Sequence, residues 1–483
     1  MTRSIANVEA EAALIGTMMI DNRTVSNVSH MLTAEHFYEP LYGRLFAAIV
    51  DIVAEGGTAT PITLRPRFAN DPSMEELGGV RHLAMLTGSG AALIGYVQFA
   101  QQIRELADLR RMVAVMEAGI EQARDTGKEI NPRAVMENVT SGLTEAAVNY
   151  QRAVPRSAAD MIRKARARAA EIRGGASRGA TCVSLPDVNA LLGPLQPKTL
   201  TVIGGRPSMG KSVLAQSLAW GYAAGGTPTA LISLEMAEEA LAMRLTSDLT
   251  HALDEPIPLR DLQEGKISED ADRVLDWAER AIEHMPLDLI SPDRGSISEI
   301  EAHIARLVEK WKRRGKKLGV VFVDYLQIIA AGKSFNNPRE RIDFLSERLL
   351  GIAKRYELAI VVLSQLSRSV EMREGARPQL SDLKESGRIE EDADNVILVW
   401  RQEYYLERDK KQEGDKGYED WMVEYERSRN RVDLIAPKVR QGEVGVKRVK
   451  WFGANQAIRG SSWEEPFMDK GNDLIPREWL QAA

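Results

Sequence analysis

Residues 201–220 read TVIGGRPSMGKSVLAQSLAW. The first positions are apolar, β-branched or glycine, as in a buried strand, whereas apolar residues later in the stretch recur at helical spacing. Between these two patterns stands Gly-x-x-x-x-Gly-Lys-Ser, from Gly205 to Ser212. Such glycines let successive backbone N–H groups turn toward phosphate oxygens, and the N-terminus of the following helix adds a positive dipole. The stretch therefore predicts a strand, a phosphate-binding loop and a helix, in that order.

The loop also predicts the chemistry of its ligand. Lys211 is placed to reach the β- and γ-phosphates, and the Ser212 hydroxyl is placed to ligate Mg²⁺. We therefore expect ATP, or a related nucleotide, bound together with Mg²⁺. An accidental glycine-rich turn would need no strand before it and no helix after it, so the flanking patterns favour the nucleotide site. The predicted phosphate cradle consists of Gly205, Arg206, Pro207, Ser208, Met209, Gly210, Lys211, Ser212 and Val213.

Three more apolar runs end in polar residues that suit nucleotide hydrolysis. Asp324 follows VVFV and stands where a carboxylate can hold Mg²⁺ through water. Glu235, in LISLEM, can activate the attacking water as a general base, or it can be a cap or first-turn glutamate of the next helix. Gln365, in VVLSQ, can sense the γ-phosphate by hydrogen bonding, or it can be a plain polar strand end. Because the carboxyl ends of parallel strands meet at one edge of a sheet, the joint signal is stronger than any single residue.

From about residue 181 onward, short apolar runs alternate with helical patterns. Such runs predict an α/β fold, with a mainly parallel sheet covered by helices on both faces. A charged stretch, about 407–430, interrupts the series, and we expect it to be a solvated excursion at the edge of the sheet. The predicted strands are TLTVIGG, TALISLEM, GVVFVDYLQII, AIVVLSQLS, NVILVW, VDLIAPKV and VKRVKWF.

The chain before this region predicts a different architecture. Apolar residues recur there at three- and four-residue steps between Gly and Pro breaks, which predicts an all-helical domain over 1–150. Residues 151–180 predict a mostly polar linker helix and a flexible tether, and 181–483 form the α/β region. The linker helix carries a narrow apolar stripe, so it is either a solvated connection or it docks on a neighbouring subunit. The stripe consists of Met161, Ile162, Ala165, Ala169 and Ile172.

Composition excludes several classes of protein. The chain is 44% hydrophobic and 27% charged, which is ordinary for a soluble globular protein. No apolar run reaches the length of a membrane span, and the N-terminus lacks a secretory signal pattern, so we expect a cytoplasmic protein without a membrane partner. The single cysteine, Cys182, fits a reducing compartment, and the six histidines lack the spacing of a zinc site. The net charge of −6 argues only weakly against a nucleic-acid partner, because the distribution of charge decides.

Five motifs in the α/β region resemble, in order, the helicase motifs of DnaB-type replicative DNA helicases. The fourth, from Leu363 to Arg401, is the most specific. Three N-terminal stretches, EAEAALIGTMMID, EHFYEPLYGRLFAAI and LGGVRHLAML, are similar to the N-terminal domain of that family, so the resemblance covers nearly the whole chain. The five motifs read GGRPSMGKS, SLEMAEEALAMRL, VVFVDYLQII, LSQLSRSVEMREGARPQLSDLKESGRIEEDADNVILVWR and PKVRQGEVG.

The resemblance implies a RecA-like P-loop ATPase domain preceded by an all-α collar domain. It implies a homohexameric ring that encircles single-stranded DNA, hydrolyses ATP with Mg²⁺, translocates 5′ to 3′ and unwinds the duplex at a replication fork. The linker helix of each subunit would dock on its neighbour. Primase and a helicase loader are the implied partners, in a bacterial cell or in a phage-infected host.

The resemblance also places a DNA-binding loop of the central channel at Lys384, Glu385 and Gly387. The residues alone describe a loop with exposed N–H groups and one or two cations, which suits phosphates and not base edges. An ordinary polar loop fits the same residues. For the ATP site, the resemblance assigns Lys211 and Ser212 to ATP and Mg²⁺, Asp324 to the metal, Glu235 to water activation, and Gln365 to coupling the phosphate state to the ring.

Two cations stand in the last motif, within LIAPKVRQGEVGV. Lys438 and Arg440 are one residue apart, so on an extended strand they face the same way. In isolation they would be exposed charges that protect an edge hairpin from aggregation. The implied ring gives them a second interpretation, in which both reach the γ-phosphate held by Lys211 of the next subunit and act in trans.

Two other functions stay open on the sequence. A RecA-type recombinase shares the ATPase core but assembles into a filament, and the large helical domain and the SDLKESGRIEEDADNVILVWR block argue against it. An ATP-switched assembly or loader protein would use nucleotide binding to set its shape without unwinding DNA. Glu235→Gln distinguishes the last case, because it would leave a switch protein functional and abolish unwinding by a helicase.

Overall fold

The structure is a computed structural model. The chain divides into two compact units, Met1–Arg166 and Ala167–Ala483. Among the described residues, no helix combines the length and the apolar character that crossing a membrane requires. The structure describes residues 5–88, 95–125, 127, 131–148, 157–251, 253, 256–292, 295–383, 387–440 and 442–463.

The N-terminal unit is built from helices in the residues described, so the all-helical prediction for this region is confirmed. Several helices begin where the sequence favours a start. The Asn7 side chain accepts a hydrogen bond from the Ala10 N–H at 3.0 Å, and Pro40 and Pro61 open two other helices. The helices are α1 (Val8–Ile20), α2 (Arg23–Val28), α3 (Pro40–Ala54), α4 (Pro61–Phe68), α5 (Pro72–Glu76), α6 (Arg81–Gly88), α7 (Tyr96–Arg124) and α8 (Pro132–Val148). Their buried core includes Leu14, Ile15, Leu41, Leu45, Ile49 and Ile103.

A further helix, α9 (Ala158–Arg173), lies in the predicted linker. None of its residues is buried by the described part of this chain. Two members of its apolar stripe, Met161 and Ile162, are 62% and 61% exposed. The helix itself is therefore as predicted, and among the described residues its apolar stripe is exposed except at the half-buried Ile172.

A sheet of nine strands forms the centre of the C-terminal unit. The strands are β1 (Leu200–Gly205), β2 (Thr229–Ser233), β3 (Leu287–Ile290), β4 (Val320–Asp324), β5 (Ala359–Gln365), β6 (Asn395–Trp400), β7 (Arg431–Val439), β8 (Gly445–Phe452) and β9 (Ala457–Arg459). Their order is β3-β2-β4-β5-β1-β6-β7-β8-β9. The run from β3 to β6 is parallel, whereas β7, β8 and β9 extend the sheet as antiparallel strands. The prediction of a mainly parallel sheet is confirmed.

Helices cover both faces of the sheet because successive strand residues point to opposite sides. Ile203 of β1 packs with α11 on one face, and its neighbour Val202 packs with α15 and α16 on the other. The predicted α/β layering is thus confirmed. The helices of this unit are α10 (Pro186–Leu192), α11 (Lys211–Ala224), α12 (Glu238–Thr250), α13 (Leu259–Glu264), α14 (Glu269–His284), α15 (Ile297–Arg313), α16 (Pro338–Tyr356), α17 (Gly387–Asp392), α18 (Gln402–Arg408) and α19 (Tyr418–Ser428).

Two strands were not predicted. Strand β3 is only four residues long and carries a charge in its middle, Asp288, which accepts a hydrogen bond from the Trp311 indole at 2.8 Å and pairs with Lys310. Strand β9 has three residues and follows β8 after a tight turn. Neither stretch shows the long apolar pattern of the other strands.

The charged stretch at 407–430 is mostly exposed, as predicted, but its predicted place at an edge of the sheet was wrong. The stretch lies between β6 and β7, which are both interior strands, and it contains helix α19, which α18 precedes. Trp421 is buried there, stacks on Tyr425 with ring centroids 5.3 Å apart, and donates its indole N–H to the Leu406 carbonyl at 3.0 Å. Aromatic residues spaced along α19 therefore give the charged stretch a small core of its own.

A buried ionic network joins β9 to the helix that carries the phosphate loop. Asp248 and Arg459 are fully buried and form an ion pair at 2.6 Å. Asp248 also accepts hydrogen bonds from the Ser217 hydroxyl at 2.7 Å and the Trp220 indole at 3.2 Å, both on α11. The Ser217 hydroxyl in turn accepts from the Ile458 N–H at 3.2 Å. Because each buried charge is paired, the network fixes α11 relative to α12 and β9.

His251, at the end of α12, makes the same region sensitive to acid. Its Nε2 atom is buried without a hydrogen-bond partner, and burial, followed by the charge of Arg459, lowers the pKa of His251 from 6.5 to about 4. Between pH 6.5 and pH 4, His251 is protonated in the unfolded chain but stays neutral in the folded protein. The free energy of unfolding therefore falls as the pH drops toward 4. We expect this group to remove ~2 kcal/mol of unfolding free energy between pH 7 and pH 4.5.

Denaturant unfolding of wild type and His251→Gln at the two pH values measures this contribution. The variant should lose ~2 kcal/mol less than the wild type over that interval, because its side chain does not titrate. Equal losses in the two proteins would show that other groups carry the acid sensitivity.

Candidate functional site

A cavity of about 480 Å³ opens at the carboxyl ends of the central strands. The predicted Lys211, Ser212, Glu235, Asp324 and Gln365 all line it. They arrive there from β1, β2, β4 and β5, which are neighbours in the sheet. The other lining residues are Pro207, Ser208, Gly210, Val213, Met236, Arg244, Tyr325, Arg401, Trp451 and Gln456. The structure thus brings the strand-end residues of the sequence analysis into one site.

The phosphate loop takes its shape from backbone conformations that the sequence pattern anticipates. Gly210, the residue before α11, has φ +89°, and a Cβ there would lie 2.5 Å from the Trp451 ring. Ser208 also adopts a left-handed conformation, with φ +66°. Only glycine meets both the conformational and the spatial demand at position 210. Any larger residue at Gly210 would have to displace Trp451 or the loop.

Lys211 points back toward the loop. Its ammonium group donates a hydrogen bond to the Arg206 carbonyl at 3.1 Å. Burial lowers the pKa of Lys211 to about 8, while the negative charges of Asp324 and Glu235 act in the opposite direction. A phosphate group in the cavity would supply the counter-charge that the buried ammonium has only in part.

Asp324 ends β4 and is 4% exposed. Burial raises the pKa of Asp324, and a hydrogen bond from the Ser212 side chain is the largest opposing influence. The hydroxyl and the carboxylate are therefore adjacent. Such a pair of oxygen ligands is the type that Mg²⁺ uses beside nucleotide phosphates.

Glu235 is exposed and lines the cavity two residues after β2 ends. The helix that follows, α12, starts at Glu238 and has Ala237 as its N-terminal cap. Glu235 is therefore neither the cap nor a first-turn residue of α12, and that alternative was wrong. Its negative charge contributes to raising the pKa of Asp324, which places the two carboxyl groups within electrostatic reach of each other.

Gln365 is the last residue of β5, and its side chain borders the cavity. Its backbone N–H donates to the side-chain oxygen of Gln327 at 3.1 Å. The Gln327 amide nitrogen donates in turn to the Ser364 hydroxyl at 3.0 Å. Gln327, which follows β4, thus holds the end of β5 in place and leaves the Gln365 side chain directed to the site.

Arg401 and Trp451 are site residues that the sequence analysis missed. The Arg401 guanidinium lies over the Trp451 ring at 4.3 Å and donates to the Ser208 carbonyl at 3.4 Å. Its other contact is an ion pair with Glu403 at 3.4 Å. Arg401 directly follows β6, the parallel neighbour of β1, so the strand-end rule could have found it. Trp451 carries no such signal because it sits inside β8.

Lys438 and Arg440 do not line this cavity. Arg440 follows β7 and pairs with Asp394 at 2.6 Å, and Asp394 also accepts a hydrogen bond from the N–H of Leu200, the first residue of β1. The phosphate loop lies at the opposite end of that six-residue strand, about 20 Å away. Lys438 donates to the backbone carbonyl oxygens of Glu390 and Glu391.

The edge-hairpin interpretation of these two cations was wrong. Strand β7 pairs with β6 on one side and with β8 on the other, so it is an interior strand of the sheet. The hairpin of β7 and β8 therefore does not lie at an edge of the sheet, although the pairing with β8 ends at Ala436, before both cations. Arg440 remains 70% exposed despite its ion pair, whereas Lys438 is half-buried.

Two of the three predicted DNA-contacting residues, Lys384 and Glu385, lie outside the described residues. The third, Gly387, is the first residue of α17. On the other side of the gap, Leu383 is buried in the core of the C-terminal unit. Both ends of the predicted loop are therefore anchored in the fold.

Comparisons with known proteins agree with this architecture. The family model described as the DnaB-like helicase C terminal domain matches residues 182–459, and the DnaB-like helicase N terminal domain matches residues 4–105. The replicative DNA helicase DnaB of Rickettsia felis is 30% identical over 91% of this chain and 90% of its own. The protein of the same name from Geobacillus stearothermophilus is 27% identical, with 92% of each chain covered.

Solved structures show the same fold. A DnaB-like replicative helicase, whose structure was studied with its interactions with primase, superposes with a TM-score of 0.66 over 94% of this chain and 100% of its own, at 24% identity. The ATPase domain of G40P superposes with a TM-score of 0.53 over 62% of this chain and 98% of its own, at 27% identity. Together with the nucleotide cavity at the strand ends, these matches show that the chain belongs to the DnaB family of replicative DNA helicases and is an ATP-hydrolysing, DNA-binding enzyme.

Proposed function

We propose that this helicase works as a homohexameric ring that encircles single-stranded DNA and moves 5′ to 3′ at the replication fork. The observation that carries the ring is the distance of about 20 Å, along β1, between the phosphate loop and Arg440. A site that needs this cation must receive it from another copy of the chain. Head-to-tail contacts around a closed ring supply one such cation to every site. The number of subunits and the direction of travel follow from the resemblance of the motifs.

Within each site, the roles of the residues follow their positions. Lys211 and the backbone N–H groups of the loop from Gly205 to Val213, other than Pro207, which has none, hold the β- and γ-phosphates. Glu235 accepts a proton from the attacking water, since its carboxylate is open to the cavity and has no capping role. Gln365 contacts the γ-phosphate and passes its presence or absence to the chain that follows β5.

Mg²⁺ completes the proposed site. The Ser212 hydroxyl and the Asp324 carboxylate fit it, because both line the cavity and the Ser212 side chain is close enough to lower the pKa of Asp324. When bound with the nucleotide, the metal would neutralise charge on the β- and γ-phosphate oxygens. Burial of Asp324 keeps bulk water from competing for the carboxylate.

We assign the parts of the chain accordingly. Residues 1–150 form a collar that meets primase, and 181–483 form the motor, for which a helicase loader is the further partner. Residues 151–180 link them, and α9 docks on the neighbouring subunit. The exposed Met161 and Ile162 support this docking, because a helix in the solvent gains nothing from an apolar stripe. Lys384, Glu385 and Gly387 contact the phosphates of the DNA in the channel, which makes binding tolerant of sequence and sensitive to salt.

A fork-unwinding assay tests the proposal. We expect strand separation when a fork with a single-stranded 5′ tail is incubated with the assembled protein, ATP and Mg²⁺, and no separation when only a 3′ tail is present. Lys211→Ala is the control, since it removes the ammonium group that holds the phosphates. Separation of only the 3′-tailed fork would overturn the direction. Electron microscopy of the protein on single-stranded DNA should show closed six-membered rings, and continuous filaments would overturn the ring.

A further inference from the structure

The chain between β5 and the proposed DNA loop, residues 366–383, is a folded element, which we call the bridging segment. The Ser367 N–H donates to the Asp382 carbonyl at 3.0 Å, which closes the segment on itself. Arg373 makes two hydrogen bonds to the buried Asp382 carboxylate, each 3.0 Å long. Four of its apolar side chains are buried: Leu366, Val370, Ala376 and Leu383. A segment fixed in this way moves as one body when one of its ends is displaced.

The bridging segment is attached to the phosphate loop by a backbone hydrogen bond, from the Leu366 N–H to the Gly205 carbonyl at 3.4 Å, and by one buried side chain. Arg206 of that loop is 8% exposed and donates to the Leu366 carbonyl at 2.9 Å. Its guanidinium also forms an ion pair with Glu371 at 2.9 Å, although the two residues are 165 positions apart. The carbonyl of Arg206 is the acceptor for the Lys211 ammonium. A single residue therefore contacts both the phosphate-binding lysine and the bridging segment.

The two ends of the bridging segment lie next to the nucleotide cavity and, in the sequence, to the proposed DNA loop. Its first residue follows Gln365, which borders the nucleotide cavity. Its last residue, Leu383, directly precedes Lys384 of the proposed DNA loop. The chain itself thus runs from the γ-phosphate side of the cavity to the DNA contacts, and Arg206 adds a second attachment near the phosphates.

We propose that the Arg206–Glu371 ion pair couples the nucleotide site to the DNA loop, and that Glu371 is a positioning residue for DNA-stimulated hydrolysis. This inference rests on the proposed DNA loop and ATP site. Nucleotide binding draws the phosphate loop and Lys211 toward the phosphates, and the buried guanidinium carries that shift to the bridging segment. Arg206 is nearly enclosed and Glu371 is 39% exposed. The contact between these two side chains is therefore a charged hydrogen-bonded pair and not an apolar one.

Coupling of this kind is reciprocal, which makes it measurable at equilibrium. In wild type, a non-hydrolysable ATP analogue with Mg²⁺ should tighten the binding of a fluorescent single-stranded oligonucleotide by roughly tenfold, within the usual range of coupling between sites. In Glu371→Gln and Glu371→Ala this factor should fall to about two or less, while the affinity for the analogue alone stays within about twofold of wild type. DNA stimulation of ATP hydrolysis should fall in parallel.

Glu391→Gln is the matched control, because it removes one exposed carboxylate near the same loop without touching Arg206. In Glu391→Gln, the analogue should tighten oligonucleotide binding by the same factor as in wild type. A wild-type factor in both Glu371 variants would overturn the inference alone. If the Glu371 variants bound the analogue alone more weakly, or bound DNA more weakly without nucleotide, the inference would also be overturned. The Arg206–Glu371 contact would then shape a single binding site and would not couple two sites. A wild-type protein whose DNA affinity ignores the analogue would overturn the proposed DNA loop together with the inference.

Discussion

Arg440→Ala is expected to leave ATP binding nearly unchanged and to slow ATP hydrolysis by about 10³-fold or more, the range of effects that cations delivered in trans have on phosphoryl transfer. The binding groups Lys211 and Ser212 stay intact in the variant, because Arg440 lies at the other end of β1. If the proposed role in trans is right, the variant loses the charge that Arg440 offers to the γ-phosphate of the next subunit. Binding of a fluorescent ATP analogue and steady-state phosphate release measure the two quantities.

Mixing experiments separate a role in trans from damage within the subunit. An Arg440→Ala subunit keeps its own Glu235, and a Glu235→Gln subunit keeps its own Arg440. When the two inactive proteins are mixed in equal amounts and reassembled, about a quarter of the interfaces between head-to-tail subunits combine both intact parts. Activity should recover toward that fraction, and an Asp324 variant in place of Glu235→Gln should give the same recovery.

Asp394→Asn is the control for the ion pair inside the chain. It removes the charge that Arg440 contacts, while its amide oxygen can still accept the hydrogen bond from the Leu200 N–H. If the ion pair mattered only for the fold, Asp394→Asn and Arg440→Ala would lose the same activity. An isolated monomer that hydrolyses ATP as fast as the assembled ring would also exclude the role in trans. Lys438 should matter less, because its ammonium already binds carbonyl oxygens at the end of α17.

The sequence predicted the phosphate loop and the central strands well because their causes are local. The glycines and Lys211 act through backbone geometry within a single contiguous stretch, and the buried parallel strands are continuous apolar runs. The convergence of Glu235, Asp324 and Gln365 followed from one rule about parallel sheets, and the cavity confirms that they meet. For these parts, neighbours in space are specified by neighbours in sequence.

The sequence failed where contacts depend on strand order or on packing between distant segments. The sequence predicts both strands of the β7–β8 hairpin but not its place in the sheet, because the three-residue β9 that pairs with β8 shows no strand pattern. The stack of Arg401 on Trp451 requires β6 and β8 to flank β7, which no local pattern encodes. In the mostly exposed charged stretch, the spacing of Trp421 and Tyr425 along one helix face gives a small local packing that its charge does not indicate.

The Arg206–Glu371 pair shows the same limit inside the best-predicted motif. Arg206 was included in the phosphate cradle because of its place in the loop, yet its guanidinium bonds to the bridging segment. A motif fixes the course of the backbone around the phosphates, whereas the direction of each side chain depends on what the rest of the fold places nearby. Glu371 carries no signal of its own, since a glutamate in a polar loop is usually solvated.

Glu235→Gln is expected to preserve ATP binding and to abolish unwinding, with hydrolysis reduced by about 10²- to 10⁴-fold, the usual contribution of a general base. The amide keeps the size and the polarity of the side chain but cannot take a proton from water. The structure favours this outcome over a purely structural role, because Glu235 is exposed to the cavity, neither caps α12 nor lies in its first turn, and stands within electrostatic reach of Asp324. Removing the carboxylate should also lower the pKa of Asp324, since Glu235 raises it.

The measurement pairs single-turnover hydrolysis with the fork assay, and it uses Glu238→Gln as the control. Glu238 carries the same charge three residues away, but it belongs to the first turn of α12 and does not line the cavity. Glu238→Gln should therefore unwind forks at close to the wild-type rate. Normal unwinding by Glu235→Gln would mean that nucleotide binding alone drives strand separation, and it would contradict the proposed motor. A motor that moves along DNA must hydrolyse ATP at each step, because hydrolysis lets the subunit release its phosphate contacts and bind again.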